Sequence, residues 1–153
     1  MRKKDAMTKE NFQPCCVRKE YEVAEAVGRL KSEQTRMKSQ IAELQQKLLK
    51  FCVAEIPVDE KIVTVFDGSL SGNLPREMMN QLLDKGAVIC AVFAGTDEEG
   101  YRYVIGSRSE DVRSISKTLN STLEGRGGGK PEMVQGSVKG TEDAVKEIIA
   151  RYQ

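Results

Sequence analysis

The feature that most constrains this chain is a run of apolar residues in its first third. Val27, Leu30, Gln34, Met37, Ile41, Leu44, Leu48 and Phe51 follow one another at alternating steps of three and four residues, and Val23 extends the run backwards. A repeat averaging about 3.5 residues keeps one narrow seam pointing at a partner helix, as a coiled coil requires. With Val27 at an a position, Leu30, Met37, Leu44 and Phe51 fall at d. Arg29, Lys31, Glu33, Arg36, Lys38, Glu43 and Lys47 occupy the other faces and belong in water. Gln34 is the one polar residue in the seam, and a polar a residue fixes register at some cost in stability. The alternative is an amphipathic helix lying on its own domain, but such a helix offers a broader apolar face than the two positions per heptad found here. Pro57 and the strand-like run after it end the helix near Cys52. A homodimer through this seam is the expected assembly.

The remainder alternates between strand and helix signals. Ile62 to Phe66 and Val88 to Phe93 are β-branched and apolar, fit for buried strands. Between them Asn73 is placed to cap a helix with Pro75 in its first turn, and Gly86 marks its end. Thr96 to Gly100 reads as a hairpin turn that returns the chain through Tyr101 to Ile105. Ser109 is the expected cap of a helix over Asp111 to Leu123, whose stripe is Val112, Ile115, Leu119 and Leu123, and Gly125 stops it. A glycine-rich loop follows, then a short strand over Val134 to Val138. Thr141 caps a last helix with Val145, Ile148, Ile149 and Tyr152 on its apolar side. The order implies an α/β (α+β) protein in three parts. These are a flexible lead-in over residues 1–18, a coiled-coil helix over 19–52, and a compact mixed-sheet domain over 53–153. The last is large enough for one core.

The chain contains no histidine. Ser-His-Asp and Cys-His catalysis, the HExxH zinc helix and the histidine-bound zinc of deaminases are therefore closed to it. Cys15, Cys16, Cys52 and Cys90 show no CxxC spacing and two are neighbours, so neither a metal site nor a disulfide framework is expected. Reduced thiols in a cytoplasmic protein are the better reading. No run approaches the ~20 apolar residues of a membrane span. The basic start, Met1-Arg2-Lys3-Lys4, leads into no apolar stretch, so no signal peptide is expected. The net charge of +1 hides a partition. Residues 1–52 carry +5, residues 53–99 carry −6, and residues 100–130 carry +3. A local case for nucleic-acid binding survives where a mean-charge case fails.

The local case centres on Gly125-Arg126-Gly127-Gly128-Gly129-Lys130-Pro131. Glycine amides can turn toward an anion, and Arg126 and Lys130 add charge at the same place. A Walker A loop needs Gly-Lys-Ser/Thr opening a helix, and here Pro131 follows Lys130. A dinucleotide fingerprint begun at Gly125 needs a glycine where Lys130 stands. The plain alternative is a flexible surface loop. The flanks add more. Gly127 to Gly136, GGGKPEMVQG, resembles the GGG-R/K-P-x-x-A/V-Q-G signature of the DHH-associated domain that ends alanyl-tRNA synthetases. Val134-Gln135-Gly136-Ser137-Val138 is more similar to the long alanyl-tRNA editing proteins. Tyr103-Val104-Ile105-Gly106-Ser107, the helix after it and the long heptad helix stand where that family has them. The resemblance covers about residues 20–153.

That resemblance implies a tRNA-binding and dimerising module, non-catalytic by itself and without a cofactor, its partner an alanine-specific tRNA. In the family, hydrolysis of mischarged tRNA belongs to an upstream zinc domain with histidine ligands. Related phosphoesterases place a histidine after the glycine run, where this chain has Lys130-Pro131. The chain is either the C-terminal part of an editing protein or synthetase, or a freestanding relative. Arg126, Gly127, Gly128, Gly129, Lys130 and Gln135 are the candidate RNA contacts, with Arg102, Arg108, Arg113 and Lys117 as flanking charges. Gln135 serves equally well as an amide bracing the loop. The rival is a pure assembly domain, favoured by the acidic stretch at 53–99, since acid repels RNA unless it faces away.

The seam itself generates a test. Changing Ile41 and Leu44 together to Glu places charge in a desolvated interface and is expected to convert a dimer into a monomer by sedimentation. A wild-type chain that is monomeric at high micromolar concentration contradicts the coiled coil.

Overall fold

The computed structural model describes the backbone of residues 2–153 and the side chains from residue 18 onward. The lead-in expected over residues 1–18, with Cys15 and Cys16, lies outside those side chains but for Arg18. The chain divides into two compact units, residues 1–47 and 48–153. The first is a length of α1 (Arg2–Glu55). From Arg18 to Leu44 every side chain of this helix is exposed, the seam residues included.

The second unit begins with the last turns of α1. The helix continues to Glu55, three residues beyond the end expected at Cys52. Its final turns have work to do, because Leu49 and Val53 enter the core while Leu48 and Phe51 remain exposed. The Lys85 ammonium donates to the carbonyls of Val53, Ala54 and Ile56 at 2.9, 2.8 and 2.6 Å. Those are acceptors that a helix end leaves without intrahelical partners, and a cation there also suits the helix dipole.

Five strands follow: β1 (Ile62–Phe66), β2 (Ile89–Thr96), β3 (Gly100–Ser107), β4 (Arg126–Lys130) and β5 (Met133–Val138). They form one sheet in the order β1-β2-β3-β5-β4. β1 and β2 are parallel, joined by α2 (Leu74–Lys85), and all other pairs are antiparallel. β3 reaches β4 through α3 (Arg113–Thr122), and β5 then inserts between them before α4 (Glu142–Ala150). α2 and the end of α1 cover one face, with Val63, Cys90, Val92 and Val104 beneath them. α3 and α4 cover the other, over Ile62, Ala91, Phe93, Tyr103, Ile105 and Val134. Burial on both faces explains why β2 reads as an unbroken apolar run rather than an alternating one.

The expected helix ends hold in part. Pro75 lies in the first turn of α2, and Gly86 closes it at φ 123°, a conformation that favours glycine. Asn73 precedes the helix but makes no side-chain cap, its amide donating to Glu77 instead. The Thr141 hydroxyl accepts from the Ala144 amide at the start of α4. Ser109 does not cap α3, which starts at Arg113 after Val112. Asp111 takes that part: its carboxylate accepts the Arg113 amide at 3.0 Å and pairs with the Arg113 guanidinium, which holds it down to about 2.

The expected glycine loop is also corrected. Arg126 to Lys130 form an edge strand, each residue in register with β5 from Ser137 back to Met133. Three glycines carry no β-strand preference of their own, so the pairing comes from tertiary packing. The buried Tyr103 hydroxyl is hydrogen-bonded to Ser116 at 2.7 Å and donates to Asn120 at 3.0 Å. It lies over the cross-strand pair Gly127 and Gly136, where an added Cβ would fall 2.6 and 2.7 Å away. Gly129 is pressed against the Met133 carbonyl, whereas Gly128 has nothing within 4 Å.

These environments predict opposite outcomes for neighbouring substitutions. Gly127→Ala and Gly136→Ala are expected to cost about 1–3 kcal/mol by overpacking. Gly128→Ala is expected to cost nothing and to gain up to about 1 kcal/mol from the stiffer backbone. Urea denaturation of the three variants measures this, and equal losses at all three positions contradict it.

Candidate nucleic-acid interface

Because β4 is a strand, its side chains alternate between the two faces of the sheet. Lys130 is paired with Met133, Gly128 with Gln135, and Arg126 with Ser137. Gln135 and Ser137 are in turn paired with Val104 and Arg102 of β3. Val104 and Met133 pack on the α2 side, so Arg102, Arg126, Gly128, Lys130, Gln135 and Ser137 share that side. Gly127 and Gly129 face α3. The peptide groups alternate as well, and the Gly127 carbonyl accepts from the Asn120 amide at 3.3 Å, away from β5. The three glycine amides therefore do not converge on one anion, contrary to the nest expected of a loop.

α2 packs on β2 and β3, Met133 of β5 reaches the edge of its cluster, and β4 is exposed throughout. The result is a groove with α2 as one wall and the bare strands as its floor. It consists of two adjoining cavities, of about 380 Å³ and 450 Å³. The first brings together Asn73, Arg76, Arg102, Arg126 and Gln135. The second holds Arg76, Asn80, Arg108, Gly128, Lys130 and Gln135. Arg76 and Gln135 line both and mark where they meet. Gly128 is the one glycine of the run with open space above it, and it opens on the second cavity, so a ligand can approach the backbone there.

The structure thus joins Arg126, Lys130 and Gln135 with Arg102, and adds Arg76, which the sequence reading missed. Arg76 sits in the stretch of net −6, where a cation drew no attention. Its signal was the helical spacing Arg76, Asn80, Leu83, which puts it on one flank with two other groove residues. Arg108 reaches the second cavity but is ion-paired with Asp84. Arg113 and Lys117 belong to α3, on the far side of the sheet, and Arg113 is held by Asp111. None of the nine acidic residues of 53–99 lines either cavity, and Glu132 is the carboxylate that does. Four cationic side chains around one groove favour anions, and the amides of Asn73, Asn80 and Gln135 add donors and acceptors among them. Among the described residues, no group of three or more His, Cys, Asp or Glu is placed to hold a metal ion.

The family profile of the DHHA1 domain matches residues 59–153. An alanine-tRNA ligase from Acholeplasma laidlawii is 33% identical over 73 residues, which cover 45% of this chain and 9% of that protein. One from Archaeoglobus fulgidus is 27% identical over 126 residues, covering 80% of this chain and 13% of that protein. The chain thus spans only a small part of the length of these relatives. In fold it is similar to RecJ from Thermus thermophilus, with a TM-score of 0.60 at 15% identity, covering 78% of this chain and 18% of that one. It is also similar to the C-Ala domain of Aquifex aeolicus alanyl-tRNA synthetase, with a TM-score of 0.50 at 17% identity, covering 61% of this chain and 88% of that domain. The profile takes in well over half of the sequence, and the chain belongs to the DHHA1 domain family.

Proposed function

We propose that this chain is the tRNA-binding and dimerising module of an alanyl-tRNA synthetase or an alanyl-tRNA editing protein, and that it is not catalytic by itself. The observation that carries the reading is the convergence of Arg76, Arg102, Arg126 and Lys130 on one groove from α2, β3 and β4. A phosphodiester backbone is the polyanion such a groove suits, and its contacts position an RNA without reading its sequence. Gly128 lets the ligand reach the strand backbone, and Gln135 is the amide at the centre. The alanine-tRNA ligases among its relatives point to tRNA of alanine identity as the partner. The seam of Val27, Leu30, Gln34, Met37, Ile41, Leu44, Leu48 and Phe51 serves dimerisation through a coiled coil. The absence of histidine closes histidine-dependent hydrolysis to this chain, which supports placing the catalytic steps in other parts of a parent enzyme. Among the described residues Cys52 and Cys90 are free thiols, which suits a reducing cytoplasm.

The salt dependence of tRNA binding tests the reading. Arg126→Ala with Lys130→Ala is expected to weaken binding and to flatten the slope of log affinity against log salt by roughly 2, taking the duplex-DNA rule as a guide. Arg76→Ala alone is expected to flatten it by roughly 1. Arg113→Ala with Lys117→Ala, on the opposite face, should leave both unchanged. Losses should be alike for tRNAs of different identity, and a loss confined to one tRNA contradicts the phosphate assignment. If folded groove variants keep the wild-type affinity and salt slope, the groove is structural, and a wild type that binds no tRNA makes the module an assembly domain without RNA contact.

A further inference from the structure

The seam of α1 specifies an orientation as well as a partner: we infer that it pairs with a second copy of this chain in parallel, each residue beside its own equivalent. This rests on the dimerising reading above and adds the direction. Val27, Leu30, Met37, Ile41 and Leu44 are between 52% and 65% exposed in the single chain. The a positions carry β-branched Val27 and Ile41, and the d positions carry Leu30 and Leu44. Among parallel coiled coils that division favours two strands over three, and Leu48 at a with Met37 and Phe51 at d complete the seam.

The polar residues discriminate further. In a parallel dimer Gln34 meets Gln34 of the second copy, and a carboxamide both donates and accepts, so the two satisfy each other. Glu33, at g, then lies beside Lys38, at e, of the other helix, twice by symmetry. The other g-to-e neighbours are Lys19 with Ala24, Ala26 with Lys31, Gln40 with Gln45 and Lys47 with Cys52, and no like charges meet at these positions. Glu20, one heptad before Val27, is the a residue at which two carboxylates adjoin, at the start of the seam. An antiparallel pair with the same apolar overlap sets Val27 against Leu44, Leu30 against Ile41, and Gln34 against Met37. Gln34 then has no polar partner in the seam. The flanking e positions bring Lys31 against Lys38, also twice, while Glu33 faces Gln40. The antiparallel arrangement loses both attractions and gains two repulsions.

Disulfide trapping in the full chain decides the direction. With Cys15, Cys16 and Cys52 changed to Ser, the buried Cys90 is the one native thiol left. Val27→Cys and Leu44→Cys are then introduced separately and oxidised with glutathione disulfide. The parallel dimer predicts that each variant links to itself. The antiparallel dimer predicts that neither does, and that a disulfide forms only when the two variants are mixed, which would overturn the orientation. Sedimentation of the same proteins before oxidation separates the two readings, since a monomeric wild type removes the dimer and its direction together. Spin labels at Glu22→Cys, off the seam, give a measurement that does not weaken pairing. Parallel helices hold the two labels about 20 Å apart, the width of a helix pair, and antiparallel helices set them about 40 Å apart. The longer distance overturns the proposal.

Discussion

The phenol of Tyr103 resting on the Gly127–Gly136 pair is the contact on which the groove between α2 and β4 depends. Its hydroxyl is tied to Ser116 and Asn120 of α3, and Asn120 in turn holds the Gly127 carbonyl. One network therefore joins the sheet, α3 and the edge strand β4. β4 has little to hold it otherwise, since three of its five residues have no side chain to pack. With its α3 face fixed by glycine and tyrosine, alternation turns Arg126 and Lys130 to the opposite face. The edge strand is anchored on one side of the sheet and displays its charge on the other.

That division of labour explains which parts of the molecule were legible in the sequence. β1, β2 and β3, α2 and α4 were readable because their apolar periods, the Gly86 stop and the Thr141 cap agree with their tertiary environment. β4 was not, because Gly127 to Gly129 favour a loop locally and become a strand only through Tyr103 and β5. The start of α3 was misplaced because Ser109 looks like a cap, while Ser107 binds the Ser109 and Glu110 amides and Asp111 satisfies the helix. Within the site, Arg126, Lys130 and Gln135 were legible from the glycine signature. Arg76 was not, since its proximity to them arises from α2 lying across β3, a relation fixed by topology. Arg113 and Lys117 are near the signature in sequence but on the other side of the sheet.

The long helix carries two apolar patterns that meet at its end. Leu49 and Val53 face the core of the second unit, and Lys85 closes the last turn from α2. Leu48 and Phe51, one face round, continue the exposed seam. A single amphipathic stripe would bury both sets or neither. Five further large apolar side chains stay in water from Val27 to Leu44, each withholding roughly 1.5–3 kcal/mol of burial energy. A partner helix recovers much of that, at the entropic cost of association.

The RNA site proposed above is the groove between α2 and β4–β5, with the α3 face of the sheet left free. Backbone amide shifts of the isotopically labelled chain, followed as tRNA is added, address it directly. Binding in the groove is expected to perturb amides that cluster at Arg76, Arg102, Gly128, Lys130 and Gln135. Perturbations concentrated on Arg113, Lys117 and the outer face of α3, with the groove amides unmoved, would contradict it.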